Sequence, residues 1–508
     1  MATTKPASLS LPLTVTSARV AYTSAAETDS KLNGSAGGNG SSTNGQPNTA
    51  PKKLRQKDDL TNAFITESAD DEGNAKCAYL MFGDQFLYCE TLGWLSWQAT
   101  HWQLDLSEAS VDRAILKLLK ARRLAAVHAD KEPIVKMTIG STKHMNDCKR
   151  IFRTMVTIEI SQFDSSPDTL NVANGVLDLQ TRTLTPHDPS QRFTHCASVE
   201  YDDAADDAEW VNWLVDAVGA EQAHWLQLAI GYTLTGHTRE EVLFYLFGPP
   251  RAGKGIFTET ILAMLGKPLA VEINFGTFTA QRTGDSQNFD LAPLKACRMV
   301  AAAESNSYEK FNEAKLKSLT GGNEIYCAFK QKTHFSYQPQ FKIWLSSNEP
   351  VHADPDDEAV WGRIRTIEFL HSHLGKEDKM LKRKMRSPEV LRGVLWWAAA
   401  GAEKWYRLGA AGLPELDTSR ELKAKHREGL DAVGMWLDEC ASMEDEKHFT
   451  PAADLYTSYK YWCEHNGQQP KHMKAFSQAL VRKGLKAERQ RTPLDAKLKR
   501  GFVGVKVL

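Results

Sequence analysis

The stretch Val242-Leu-Phe-Tyr-Leu-Phe247, followed by Gly248-Pro-Pro-Arg-Ala-Gly253-Lys254-Gly255, decides the fold. Six apolar residues bounded by glycine read as a buried strand, and the residues after Lys254 read as a helix. A strand that feeds a glycine-containing loop into a helix N-terminus aims backbone N–H groups and the positive end of the helix dipole at an anion. The spacing is G-x4-G-K, that of a nucleotide phosphate loop, with Lys254 charged for the β- and γ-phosphates. Gly248, Pro249, Pro250, Arg251, Ala252, Gly253, Lys254, Gly255 and Ile256 are therefore expected to cradle phosphate. Position 255 is glycine where a serine or threonine usually supplies a hydroxyl to magnesium, and Thr258 is the nearest hydroxyl on the helix. The plain alternative is a glycine turn without a ligand. Strands further along the chain that end in an acid and in an amide weigh against it.

A nucleotide hydrolase needs a carboxylate at a strand end, near the metal and the attacking water. Met299-Val-Ala-Ala-Ala-Glu304 has that form, and Glu304 is its only acid. A further strand, Phe341-Lys-Ile-Trp-Leu-Ser-Ser-Asn348, ends in an amide suited to bond a γ-phosphate or orient water; an asparagine there is also an ordinary turn former. Beyond it, Trp361-Gly-Arg363-Ile-Arg365 offers an arginine that a neighbouring subunit's γ-phosphate would attract. Between these strands, Phe329-Lys330-Gln-Lys332-Thr-His334-Phe335 reads as a hairpin with projecting cations. Its alternatives are a solvated turn and a grip on DNA phosphates through Lys330, Lys332 and His334.

The 508 residues suggest about three domains. With 62 basic and 63 acidic residues the chain is nearly neutral, which excludes a simple polybasic binder but not local basic faces. No apolar run approaches the roughly 18 residues of a membrane span. No secretory leader is expected, and no C-x-x-C pair groups the eight cysteines, so isolated thiols in a reducing compartment are expected. Residues 1–58 form a low-complexity tail expected to be disordered. Residues 59–205 are expected to form an α+β domain with Trp94, Trp97 and Trp102 in its core, a helix over 111–127 and a hairpin turn at Asn174-Gly175. Residues 206–240 read as a helical lead-in whose Trp210, Trp213, Leu214, Ala217 and Val218 form one buried stripe. Residues 241–370 alternate strand and helix, an α/β core, and 371–430 are helical. In 431–508, Leu485 to Arg491 and Phe502 to Leu508 are expected as strands. From Lys471 onward eleven basic residues face only Glu488 and Asp495.

Taken together, these residues resemble superfamily 3 helicases, and within them the phage and plasmid primase-helicase family that includes the poxvirus primase-helicase. The likeness runs from about Leu60 to the C-terminus. It rests on Asn171-Val-Ala-Asn-Gly-Val-Leu-Asp-Leu179 with Pro186-His187, on Gly231-Tyr-Thr-Leu-Thr-Gly236, on Lys317-Ser-Leu-Thr-Gly-Gly322, and on Phe341 to Pro350. The resemblance implies a phosphate-loop α/β core of the AAA+ type, a C-terminal winged helix at 431–508, and a hexameric ring. ATP with Mg2+ would sit between subunits. Lys254, Glu304 and Asn348 would come from one subunit, with Glu304 also holding the metal, and Arg363 from the next. Lys330, Lys332 and His334 match the family's channel hairpin. Movement 3′ to 5′ on single-stranded and forked DNA is implied, in a bacterial host cytoplasm if phage or plasmid encoded. No primase is visible, which implies a separate primase or polymerase as partner. Gly362 departs from the family's paired arginines. An ATP-switched initiator or loader, a small-molecule kinase and a non-enzymatic DNA scaffold are the competing readings.

Overall fold

The computed structural model describes residues 57–278, 288–303, 311–351, 353–376, 378–443, 445–492 and 495–508. Most of the low-complexity tail and Glu304 lie outside the described residues.

The apolar strands, which lack alternation, are covered on both faces, as such runs require. Strands β1 (Leu243–Phe247), β2 (Ala270–Glu272), β3 (Met299–Ala303), β4 (Lys342–Ser347) and β5 (Ile364–Glu368) form one parallel sheet in the order β5-β1-β4-β3-β2. Successive side chains feed two separate cores. Phe244, Leu246, Met299, Ala301 and Trp344 join one, and Leu243, Tyr245, Val300, Ile343 and Leu345 the other. The first core is closed by helices α1 (Ala208–Val218), α2 (Ala220–Leu234), α3 (Lys254–Leu265) and α4 (Pro388–Leu408). The stacked rings of Phe244 and Trp344, 4.2 Å apart, fix the centre of that face. Helix α5 (Asp417–Glu428) follows, and its Ser419 hydroxyl accepts a bond from the Thr366 N–H of β5.

Helices α2 and α4 cross at near backbone contact. A Cβ on Gly231 would stand 2.1 Å from the Ala402 nitrogen, and one on Gly401 2.0 Å from the Gln227 oxygen. The lead-in helices and the helices after the sheet therefore share one core. The expected stripe on α1 is buried at Trp210, Leu214, Ala217 and Val218, but Trp213 is only half-buried.

In the N-terminal part, Trp94 is in the local core, stacked on Phe152, as the sequence led us to expect, whereas Trp102 is buried in the second core beside the sheet and Trp97 is only half-buried against it; the long helix spans Ala109–His128. The wholly buried Arg122 of that helix donates to the Phe64, Glu67 and Ser68 carbonyls and to Asn74 Oδ1, at 2.7–3.1 Å. Burying a guanidinium is costly unless its donors are answered in this way. The expected hairpin is present, but its register pairs Val172 with Gly175. Ala173 and Asn174 are thus the turn, and Gly175 already belongs to a strand.

Beyond α5 the order is helix Ala432–Cys440, strand Phe449–Pro451, helices Ala452–His465 and Met473–Arg482, then strands Lys486–Thr492 and Asp495–Val503. These last two strands pair as a long hairpin. The second begins at Asp495, earlier than the expected Phe502, because the exposed Lys497, Lys499 and Arg500 leave no apolar alternation to read. Lys506–Val507 pairs elsewhere, with Ala441–Ser442.

Gly231→Ala is expected to lower stability by about 1–3 kcal/mol through overpacking, read as a lower urea midpoint. Gly255→Ala, whose Cβ would meet nothing nearer than Glu259 Oε1 at 3.8 Å, is the control and should not lower the midpoint.

Candidate nucleotide site

The loop leaves β1 through Gly248, at φ 146°, where a Cβ would lie 2.4 Å from the Phe369 oxygen. Arg251 takes φ 63° and Gly253 φ 102°, left-handed conformations that wrap the chain before α3 begins. A non-glycine residue held there is strained, a feature that clusters at ligand sites. No side chain caps α3, so no capping group competes with an anion for its first N–H groups.

Lys254 is buried beneath the loop. Its Nζ donates to the Gly248 oxygen at 2.6 Å, the Pro249 oxygen at 2.9 Å and Asn348 Oδ1 at 2.8 Å. Desolvation by burial brings its pKa down to about 8. The ammonium is thus held by neutral oxygens alone, an arrangement that an incoming phosphate would improve electrostatically. Asn348 reaches it because β4 pairs parallel with β1, Ser347 opposite Phe247, so both strands end at the same edge. The sequence-expected loop, Lys254 and Asn348 are therefore brought together. A cavity of about 630 Å³ opens over them, of a size that suits a nucleotide. Ser346 also lines it, a residue the sequence reading did not single out. The signal was its place two residues before Asn348, on a strand where alternate side chains share a face.

Metal ligation is less complete. Thr258 Oγ1 is turned back onto its own helix, donating to the Lys254 oxygen at 3.1 Å. Among the described residues, no group of three histidine, cysteine or acidic side chains could hold a metal ion. Glu304, which directly follows β3, lies outside them.

Arg363 is at the other end of the sheet. It precedes β5, whose Ile364 pairs with Leu243 at the start of β1, whereas Glu368 pairs with Phe247 beside the loop. Five strand residues separate the two ends, about 15 Å. Arg363 Nη2 donates to Glu241 Oε2 at 2.6 Å and Nη1 to the Ala359 oxygen at 2.8 Å. Arg365 is turned inward onto the Gly362 oxygen, and burial lowers its pKa.

The expected hairpin pairs Ile325–Ala328 with His334–Tyr337. Cys327, Phe335 and Tyr337 anchor it in the second core, while Lys330, Lys332 and His334 are exposed at its tip. Sequence reasoning missed Tyr326. It is 62% exposed and its ring stacks on His334, 5.0 Å apart and 9° from parallel. Lys317, nearby in sequence, pairs with Asp357 at 2.5 Å. In the C-terminal part, Lys474, Arg482, Lys499 and Arg500 line a cleft of about 920 Å³. Arg482 and Lys471 also bridge to Asp356, at 3.0 and 3.1 Å.

Three family models match the chain. Residues 75–219 match D5 N terminal like, residues 246–364 a family of unknown function (DUF5906), and residues 429–491 Poxvirus D5 protein-like. The first and third of these models are of D5-like proteins. Among relatives, a protein named as a helicase from Acanthamoeba polyphaga mimivirus is 23% identical over 335 residues, 60% of this chain and 34% of that protein. A helicase-named protein of Frog virus 3 (isolate Goorha) is 30% identical over 144 residues, 27% of this chain and 14% of its own length. A primase-named protein of African swine fever virus (isolate Warthog/Namibia/Wart80/1980) is 21% identical over 371 residues, 67% and 38% respectively. The chain thus spans less than two-fifths of the length of each of these relatives. The apo structure of the NrS-1 C-terminal region (305-718) shares the fold, with a TM-score of 0.51 at 12% identity, over 86% of this chain and all of that one. The D5 N terminal like match contains Asn171 to Leu179, and the middle match contains Lys317 to Gly322 and Asn348, stretches on which the resemblance was drawn. No helix among the described residues is long and apolar enough to cross a membrane.

With its pKa depressed to about 8, Lys254 is increasingly neutral in the free protein above that pH. A bound triphosphate favours the charged form, so binding above pH 8 takes up a proton. Affinity for ATP is expected to fall as pH rises past 8, by up to about tenfold per unit. Below pH 7 this group contributes no slope. Calorimetry at pH 9 in two buffers of different ionisation enthalpy checks this: equal heats would contradict it.

Proposed function

We propose that this chain is a subunit of an ATP-hydrolysing, superfamily 3 replicative DNA helicase that works as a ring, hexameric by family likeness, moving 3′ to 5′ on single-stranded DNA. The observation that carries the reading is the placement of Lys254 and Arg363 at opposite ends of one parallel sheet. An arginine that cannot reach its own phosphate loop is suited to reach a neighbour's. Head-to-tail repetition of that contact gives a ring when the rotation between neighbours closes, and the ring is what the family likeness favours. The α/β core is then an AAA+-type ATPase, and the C-terminal order of helices and strands a winged helix.

In this reading the triphosphate replaces the Gly248, Pro249 and Asn348 oxygens around Lys254 Nζ. Asn348, so released, bonds the γ-phosphate or the attacking water. Arg363 exchanges Glu241 for the neighbour's γ-phosphate and stabilises the charge that spreads over it in the transition state. Glu304 is the proposed ligand of Mg2+, which when bound would supply charge neutralisation. Lys330 and Lys332 grip DNA phosphates in the ring's channel, and the Tyr326–His334 pair offers a flat face to sugar or base. A separate primase or polymerase is the proposed partner, and the viral relatives make a DNA virus as natural a source as a phage or plasmid.

Forked DNA with either a 3′ or a 5′ tail tests the reading. Wild type should unwind the 3′-tailed fork with ATP, and Lys254→Ala should not. Lys332→Ala should bind single-stranded DNA more weakly and with a salt slope smaller by about 1. Melting of only a few base pairs would favour an initiator or loader, and DNA binding without hydrolysis a scaffold.

A further inference from the structure

The cavity over the phosphate loop extends past the space that phosphates need, and one of its walls is aromatic. Trp213, Asp216 and Ala217 of α1 all line it. Their i, i+3, i+4 spacing means that one face of α1 forms that wall. Trp210, one turn earlier, is wholly buried, whereas Trp213 is half-buried and turned to the cavity. The Trp213 ring is backed by Trp210, 5.2 Å away, and Trp210 is itself stacked on Phe257 of α3 at 5.9 Å. The indole is thus held on a rigid support. It also stands beside the loop: its Cζ2 would lie 3.2 Å from a Cβ on Gly253. Leu381 adds a further apolar side chain to the lining.

We propose that Trp213 is the stacking platform for the base of a purine nucleotide whose phosphates occupy the loop. The proposal rests on the nucleotide reading of that loop. An indole gives a two-ring base more overlap than a one-ring base, so purines are favoured over pyrimidines. Base–aromatic stacking typically contributes about ten- to hundredfold in affinity by alanine substitution.

Equilibrium binding of ATP, CTP and inorganic tripolyphosphate to the full chain tests this, with wild type, Trp213→Ala, Trp213→Phe and Lys254→Ala compared. Tripolyphosphate carries the charge without a base. Wild type should bind ATP at least tenfold more tightly than tripolyphosphate and more tightly than CTP. Trp213→Ala should erase both gaps while leaving tripolyphosphate affinity within twofold, and Trp213→Phe should keep most of each gap. An ATP preference that survives Trp213→Ala overturns the proposal. So does an equal loss of ATP and tripolyphosphate binding in that variant, since Trp213 would then only support the loop. Lys254→Ala reports on the loop alone: if it weakens neither ligand, the nucleotide reading fails there, independently of the base platform.

Discussion

Strand β1 lies between β4 and β5 and runs parallel to both. That register sets the placement of every candidate group. Phe247, Ser347 and Glu368 end side by side, so the loop after β1 and the amide after β4 meet at one edge. The residue before β5 is left at the opposite edge. A one-residue slip of β4 would exchange its two faces, putting Trp344 where Ile343 and Leu345 now pack. The two cores on either side of the sheet hold the register, and the register holds the site.

Buried cations recur in this chain, and each is held in its own way. Arg122 is answered by three carbonyls and an amide oxygen, and ties the first helices of the N-terminal part together. Lys342, at the start of β4, donates to the Thr235 oxygen at 2.5 Å and the Gln340 oxygen at 3.1 Å, with the Tyr232 ring 4.5 Å away. Burial and the nearby Arg298 hold its pKa well below the usual lysine range. Lys254 differs in standing at the floor of an open cavity. Its neutral acceptors are replaceable by a charged one, whereas those of Lys342 are enclosed. Burial that is merely structural at one end of β4 is thus poised for a ligand at the other.

Much of this was legible in the chain. The apolar run Val242 to Phe247 and the glycine spacing after it marked the strand, loop and helix directly, and Asn348 came from the end of the later apolar run that starts at Phe341. The hairpin tip was marked by Lys330 and Lys332. The features that were missed lack a local signature. Nothing periodic announces that Gly231 and Gly401, far apart in sequence, meet backbone to backbone. Trp213 carries the same helical spacing as the buried Trp210 stripe, and only the position of the phosphate loop distinguishes a half-open ring from a covered one. Tyr326 projects outward from a strand whose neighbours are buried, a distinction that needs the pairing with His334. The hairpin from Lys486 to Val503 is charged on its exposed faces, so its second strand was placed too late.

The central claim is that one active site is built from two subunits. Lys254→Ala and Arg363→Ala should each abolish DNA-stimulated ATP hydrolysis alone. Mixed in equal amounts and allowed to exchange, they should regain activity, because about one head-to-tail interface in four would then pair an intact lysine with an intact arginine. A mixture as inactive as its two components, under conditions where subunits are seen to exchange, would contradict a shared site.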